Sequence, residues 1–172
     1  GNRIYREDDS MYQLYLVKYA GVDPATGQAL YWAKDDNDAE YATYDYNTAR
    51  TSNRQGTGNL QSTLTGGLGT SLQAYGFDFS IQTSFQMGGK CLDYGYLYYM
   101  HGGSSSDAGQ TWHSDILKAW TPENPNTDVP RICVSDQYTN SLSDRWLVSS
   151  AYFSINNITL GYTLPKKLTQ KL

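Results

Sequence analysis

No stretch of this chain is apolar for more than a few residues, so no α-helix in it meets the roughly 20 apolar residues a membrane-spanning helix needs. That excludes helical spans and nothing else, because barrel strands face lipid only at alternate positions. Basic residues are also short: 13 Lys and Arg stand against 17 Asp and Glu, a formal net charge of -4. Without a basic surplus to neutralise phosphates, nucleic acid is not an expected partner. Charged residues make up only 17%, below the roughly 25% of an ordinary soluble domain. Two cysteines, Cys91 and Cys133, lie in no CxxC or Cys/His cluster, which argues against structural zinc. They read either as two free thiols or as one disulfide in an oxidising, exported setting. The chain opens Gly-Asn-Arg-Ile, with neither Met nor a signal peptide, and reads as an excised piece.

The two histidines, His101 and His113, leave little for catalysis. His113 has Asp115 and several serines nearby, but no GxSxG nucleophile elbow is present. Asp35, Asp36 and Asp38 sit in an acidic stretch, KDDNDAE, with nothing apolar beside them to raise a carboxyl pKa. The same stretch shares Asp36, Asp38 and Glu40 with a calcium loop, but Tyr41 replaces the required Gly and Asn47 the closing Glu. A solvated turn is expected there. The reading is therefore no enzyme, no catalytic residue, no metal and no cofactor.

What the chain has in quantity is Tyr (16 of 24 aromatics) and Gly, residues of strands and turns. The fold class is all-β. Its centre is the hairpin 64–88. From Phe77 to Met87 the residues alternate: Phe77, Phe79, Ile81, Thr83, Phe85 and Met87 on one side, Asp78, Ser80, Gln82, Ser84 and Gln86 on the other. Leu64 to Gln73 is its partner, across a short corner at Ala74-Tyr75-Gly76. A further long strand is expected over 150–165. Phe153 and Ile155 share one parity there, and Ile158, Leu160, Tyr162 and Leu164 the other, which predicts a bulge or a change of side at Asn156-Asn157.

Elsewhere, 11–20 reads as a strand that returns through 28–33 after the turn at Gly21 to Gly27. A long loop is expected over 34–64 and another over 88–148. The second holds a Tyr-rich stretch at 92–100 that is either strand or helical turn, a linker at 102–109, a short amphipathic helix at 111–120, and a proline-rich segment at 121–130. Residues 143–147 read as the lead-in to a strand. The layout is antiparallel, with one short corner between long strands and very long polar loops opposite. An outer-membrane barrel has this arrangement, and so does a self-contained secreted β domain that binds carbohydrate through exposed aromatics.

Four blocks then resemble a family: YAGVDPATGQALYW (19–32), GGLGTSLQAYGFDFSIQTSFQMGGK (66–90), HSDILKAWTPENPNTDVPRI (113–132) and YFSINNITLGYTLPKKL (152–168). In this order they resemble the late barrel of SusC/RagA-type TonB-dependent outer-membrane transporters. The resemblance implies one partial barrel region over 1–172, from a large transmembrane β-barrel of about 22 strands with long extracellular loops. It implies import of oligosaccharides or peptides across the outer membrane, with a SusD-like lipoprotein as lid and TonB as energy source, engaged through N-terminal parts not present here. On that scaffold Phe77, Phe79, Ile81, Phe85, Ile158, Leu160 and Tyr162 face outer-membrane lipid, and Asp78, Ser80, Gln82 and Gln86 face the lumen. The corner 74–76 and residues 166–171 become periplasmic turns. Trp112, Trp120, Tyr96 and Tyr98 are the candidates for stacking on a ligand. Girdle or core packing is the other reading of these aromatics.

Overall fold

The computed structural model describes residues 2–103 and 109–165. It divides into two units, Gly1–Leu60 with Cys91–Val148, and Gln61–Lys90 with Ser149–Leu172. The expected turn at 166–171 and the middle of the expected linker at 102–109 lie outside the described residues.

In the first unit the expected single strand 11–20 is two. The alternation that buries Leu14 and Leu16 gives way at Val17, which is also buried, and β1 (Gln13–Val17) ends there. β2 (Tyr19–Val22) pairs antiparallel with β3 (Ala29–Lys34), which pairs with β4 (Glu40–Thr43). Only β2 and β3 form the expected hairpin. β1 pairs instead with β5 (Arg54–Asn59), from Gln13 opposite Asn59 to Val17 opposite Arg54.

The segment 34–64 therefore carries structure where a loop was expected. Its elements are short and polar, which is why no apolar period marks them. Helix α1 (Tyr46–Ser52) buries only Ala49, and Asp45 caps it by accepting from the Asn47 N–H. Ala49, Val17, Ala29, Tyr31 and Ala33 form one core cluster, with Tyr19, Tyr46 and Tyr138 packed on it. Two tyrosine hydroxyls in this cluster stay satisfied by donating to loop carbonyls, Tyr31 to Tyr138 and Tyr46 to Leu142.

A second cluster joins Met100, Val129 and Trp146 to Leu92, Tyr96, Leu97 and Ile116. The Tyr-rich stretch resolves as β8 (Lys90–Leu92) and then helix α2 (Tyr94–Tyr99), capped by Asp93. The expected helix at 111–120 is only a 3-10 turn, Ser114–Lys118, whose Ile116 reaches the core while Leu117 stays exposed. Its two flanking tryptophans are held elsewhere, so no longer helical face forms. A second 3-10 turn at Asp144–Trp146 leads, as expected, into a strand, β9 (Leu147–Ser149), which pairs with β8. Cys91 and Cys133 are free thiols.

The second unit is one antiparallel sheet in the order β10-β7-β6, made of β6 (Leu64–Ala74), β7 (Phe77–Met87) and β10 (Tyr152–Tyr162). β6 and β7 join through Tyr75 (φ 53°) and Gly76 (φ 88°). Two successive left-handed residues make the two-residue turn whose twist suits a hairpin. The register runs from Ala74 opposite Phe77 to Leu64 opposite Met87. On the other edge of β7, Tyr162 lies opposite Phe77 and Tyr152 opposite Gln86.

The register of β10 shifts between Ile155 and Asn157, so Asn156 is the extra residue of a bulge. The bulge resolves the parity change: Phe153 meets Phe85 and Ile155 meets Thr83, while Ile158, Leu160 and Tyr162 meet Ile81, Phe79 and Phe77. All of these side chains share one face. β6 adds Leu64, Leu68 and Leu72 to it through their partners Met87, Thr83 and Phe79. On that face Phe85 leans over Gly66, where a Cβ would come within 2.9 Å of the ring.

Candidate functional site

Two sequence blocks, 19–32 and 113–132, meet in the first unit and form a rigid joint. The turn between β2 and β3 is organised by Asp23. Its carboxylate accepts from the Ala25 N–H (3.0 Å), the Thr26 hydroxyl (2.7 Å) and the Tyr44 hydroxyl (2.6 Å). These donors, Thr26 foremost, hold the carboxyl below its ordinary range. Gly27 closes the turn at φ +76°, its N–H donating to the Asp23 carbonyl at 2.7 Å.

The Trp120 ring lies flat against Gly27, and its indole N–H donates to the Pro24 carbonyl at 3.1 Å. The Trp120 amide donates to the Val129 carbonyl at 2.9 Å, which closes the proline-rich segment into a loop. The Thr127 hydroxyl braces that loop by donating to the Lys118 carbonyl at 2.6 Å.

Arg131 completes the joint. Its amide donates to the Gly27 carbonyl at 2.8 Å and its guanidinium to the Thr26 carbonyl at 3.0 Å. The same guanidinium grips Asp136 with two bonds, 2.7 and 2.9 Å, and the Gln28 amide adds a third at 3.2 Å. The Arg131 bonds hold the Asp136 carboxyl below the ordinary range, against partial burial. A depressed folded pKa adds stability above the unfolded value, and that stability is lost as pH falls through the folded value. Asp136→Asn is therefore expected to cost about 1–2 kcal/mol at pH 7. Its deficit should shrink as wild-type Asp136 protonates. Denaturant unfolding at pH 7 and below the carboxylate range reads this, and a pH-independent deficit would count against it.

The four aromatics proposed from sequence separate into two kinds. Tyr96 is a packing residue, edge-on to His113 (4.9 Å) and Trp146 (5.7 Å). Its hydroxyl donates to Asp115 at 3.2 Å, and burial is the main cause of its raised pKa. Trp120 belongs to the joint. Trp112 and Tyr98 keep ring surface in solvent, at 44% and 51% exposure. Trp112 stacks one face on buried His101 (5.2 Å, 23°), whose carbonyl accepts the indole N–H at 3.1 Å. Tyr98 packs edge-on against Tyr99. The structure thus does not gather the four into one platform. Arg131, Asp136 and Asp23, the residues that fix the joint, were not singled out as site residues. The VDPATG and TDVPR motifs contain Asp23 and Arg131 but not Asp136, and the bonds that tie the two segments together, Arg131 to the Thr26 carbonyl and Gln28 to Asp136, span 105 and 108 residues.

Asp78, Ser80, Gln82 and Gln86 share the polar face of the three-stranded sheet, opposite the apolar one. Gln86 donates to the Ser150 carbonyl and hydroxyl, both at 3.1 Å, and Ser84 donates to Asn156 at the bulge. A cavity of about 440 Å³ opens over Ser71, Gln73, Asp78, Ser80 and Thr159. Gly161 beside Asp78 and Gly69 beside Gln82 keep the neighbouring space clear.

His113 accepts the Asp115 N–H on Nδ1, and His101 accepts the Gly103 N–H, so both rings are engaged with backbone. Asp35 accepts the Asn37 and Ala39 N–H groups within its turn, and Lys34 pairs with Asp38 at 2.8 Å. Among the described residues no three His, Cys, Asp or Glu side chains are placed to hold a metal ion.

No family model matches the chain. Over 175 aligned residues it is 28% identical to TonB-dependent receptor P3 of Formosa agariphila, a match that takes in 98% of this chain and 17% of the receptor. Its fold matches a structure of the RagAB peptide transporter over 91% of this chain and 17% of the other, with a TM-score of 0.69 and 23% identity. The RagAB peptide importer in its closed-closed state matches with a TM-score of 0.71 at 24% identity, over 91% of this chain and 17% of that one. The chain thus spans about a sixth of the length of these relatives. Nearly the whole of this chain is thus similar in sequence to one stretch of a TonB-dependent receptor, and it shares the fold of about a sixth of the RagAB structures.

Proposed function

We propose that this chain is a stretch of barrel wall and outer loops from an outer-membrane importer of oligosaccharides or peptides. The observation that carries the reading is the two-faced sheet. Along β6, β7 and β10 one face is apolar and largely open, with Leu68 at 68%, Phe153 at 65% and Leu160 at 73% exposure. The opposite face carries Asp78, Ser80, Gln82, Ser84 and Gln86 of β7 with Ser, Thr, Gln, Asn and Gly beside them on β6 and β10, and Tyr152 at one end. Exposed apolar area on that scale needs a cover, and for strands of eleven residues lipid is the natural one. The Asp78, Ser80, Gln82 and Gln86 side then faces the lumen, and the tight corner at Tyr75-Gly76 lies on the periplasmic side.

In this reading no residue here makes or breaks a bond. The sheet walls the passage. The joint around Asp23, Trp120 and Arg131 gives the outer loops a fixed shape, against which a SusD-like lipoprotein docks as a lid. Trp112 and Tyr98 offer ring faces to a passing ligand. TonB supplies energy through parts of the receptor outside this chain.

Uptake of fluorescent oligosaccharide and peptide pools by cells carrying the complete receptor tests this. Uptake is expected to collapse on deletion of either TonB or the partner lipoprotein. Uptake indifferent to both would sink the importer reading.

A further inference from the structure

We infer that the cleft between the start of β3, the residues that follow β4 and the 135–139 segment is a binding site for a single neutral sugar unit. The cleft measures about 280 Å³ and is lined by Tyr44, Tyr138, Gln28, Gln137, Asp45 and Asp136 among others. That is close to the lower end of ligand sites, roughly 300 Å³, and suits one ring better than a chain of them.

The lining chooses the ligand class. Anions are disfavoured, because both charged side chains on the wall are carboxylates. A bulky apolar side chain finds no aliphatic wall, since Ala29 is the only aliphatic residue there and is 6% exposed. The acidity is largely spent: Asp136 is gripped by Arg131, and Asp45 is engaged by the Asn47 N–H and the Thr48 hydroxyl at the start of α1. What stays on offer is a pair of phenol rings and planar amides. Gln137 is exposed on this wall, and the Tyr138 hydroxyl, which accepts from Asn47 at 2.9 Å, keeps its own proton to donate. A sugar presents C–H surface to rings and hydroxyls to amides, so this lining matches it.

The walls are also fixed before any ligand arrives. Tyr44 is tied to Asp23, Gln28 to Asp136 and Tyr138 to α1. Preorganisation lowers the ordering cost that otherwise defeats weak, polar ligands. This site does not involve Trp112 or Tyr98 and does not depend on the importer reading, because binding is measured without transport.

The test is saturation-transfer NMR on the protein in a zwitterionic detergent free of sugar headgroups. The probes are methyl glucoside, methyl galactoside and methyl mannoside, with ethylamine as the cationic competitor. At least one glycoside is expected to bind saturably. Tyr44→Ala and Gln137→Ala should each weaken it about tenfold, while Tyr44→Phe, which keeps the ring and loses only the Asp23 bond that steadies it, should weaken it less than Tyr44→Ala. Near-UV dichroism checks the fold of each variant, and Gln137, exposed, carries the test if Tyr44→Ala loosens the turn. Saturable binding of ethylamine in place of the sugars, glycoside binding indifferent to Gln137→Ala, or no saturable binding of any glycoside overturns the assignment.

Discussion

Gly27→Ala is expected to destabilise the first unit by about 3 kcal/mol, far more than one added methyl ordinarily costs. Two penalties add. At φ +76° an L-residue with a Cβ is strained by about 1 kcal/mol. The steric penalty is greater. An alanine Cβ would lie 2.4 Å from Cε3 of Trp120 and 2.5 Å from Cδ2, well inside contact distance. The ring has little room to retreat, because its N–H is bonded to Pro24 and its amide to Val129. Forced overpacking of this kind costs about 1–3 kcal/mol. Gly21→Ala separates strain from clash: Gly21 sits at φ +105° with nothing within 4 Å of its Cβ position, so it reports backbone strain alone. Denaturant midpoints of the two variants, read with near-UV dichroism of the tryptophans, should differ by the clash. Equal destabilisation would mean that Trp120 does not pin the turn.

The contrast between the two units shows what was legible before the fold was known. The sheet of the second unit is local information. Alternation over Phe77–Met87, the Tyr75-Gly76 corner and the parity change at Asn156 each lie within a few residues, and each reappears at its expected place. β4, α1 and β5 were missed because their signals are not apolar. α1 buries one alanine, and β5, Arg-Gln-Gly-Thr-Gly-Asn, has no apolar residue at all. It is a strand because β1 offers it a backbone edge. The tryptophans misled in another way. Their spacing suggests one helix face, yet Trp112 is held by His101 and Trp120 by Gly27, contacts that spacing alone does not encode. The same holds for Arg131 and Asp136: an ion pair five residues apart is readable in sequence, but its role as a buckle on the Thr26 turn is not.

The second large effect is a contrast between two arginines at one height of the sheet. Ile158 lies opposite Ile81 on the apolar face and is 58% exposed, while Gln82, opposite Asn157, points to the polar face. Both lie near the middle of their strands, and a tilted strand of about this length spans the hydrocarbon layer. For the complete receptor folded into lipid vesicles, Ile158→Arg is expected to cost about 2–4 kcal/mol, the range for a cation on the lipid face near the midplane. Gln82→Arg should stay within about 0.5 kcal/mol, because a guanidinium on the polar face, the proposed lumen side, keeps its water. The asymmetry, not either value, identifies the faces. A sheet whose apolar side is covered by protein would also reject Ile158→Arg, but moving that arginine toward either end of β10 would not relieve the cost in a graded way. In lipid it must, since the cost falls to about 0–1 kcal/mol near the interfaces. Leu160→Arg and Tyr162→Arg, on the same face and successively closer to the Tyr75 corner, supply that series. A declining cost from position 158 to 162 places the face in the bilayer. A flat one places it against protein.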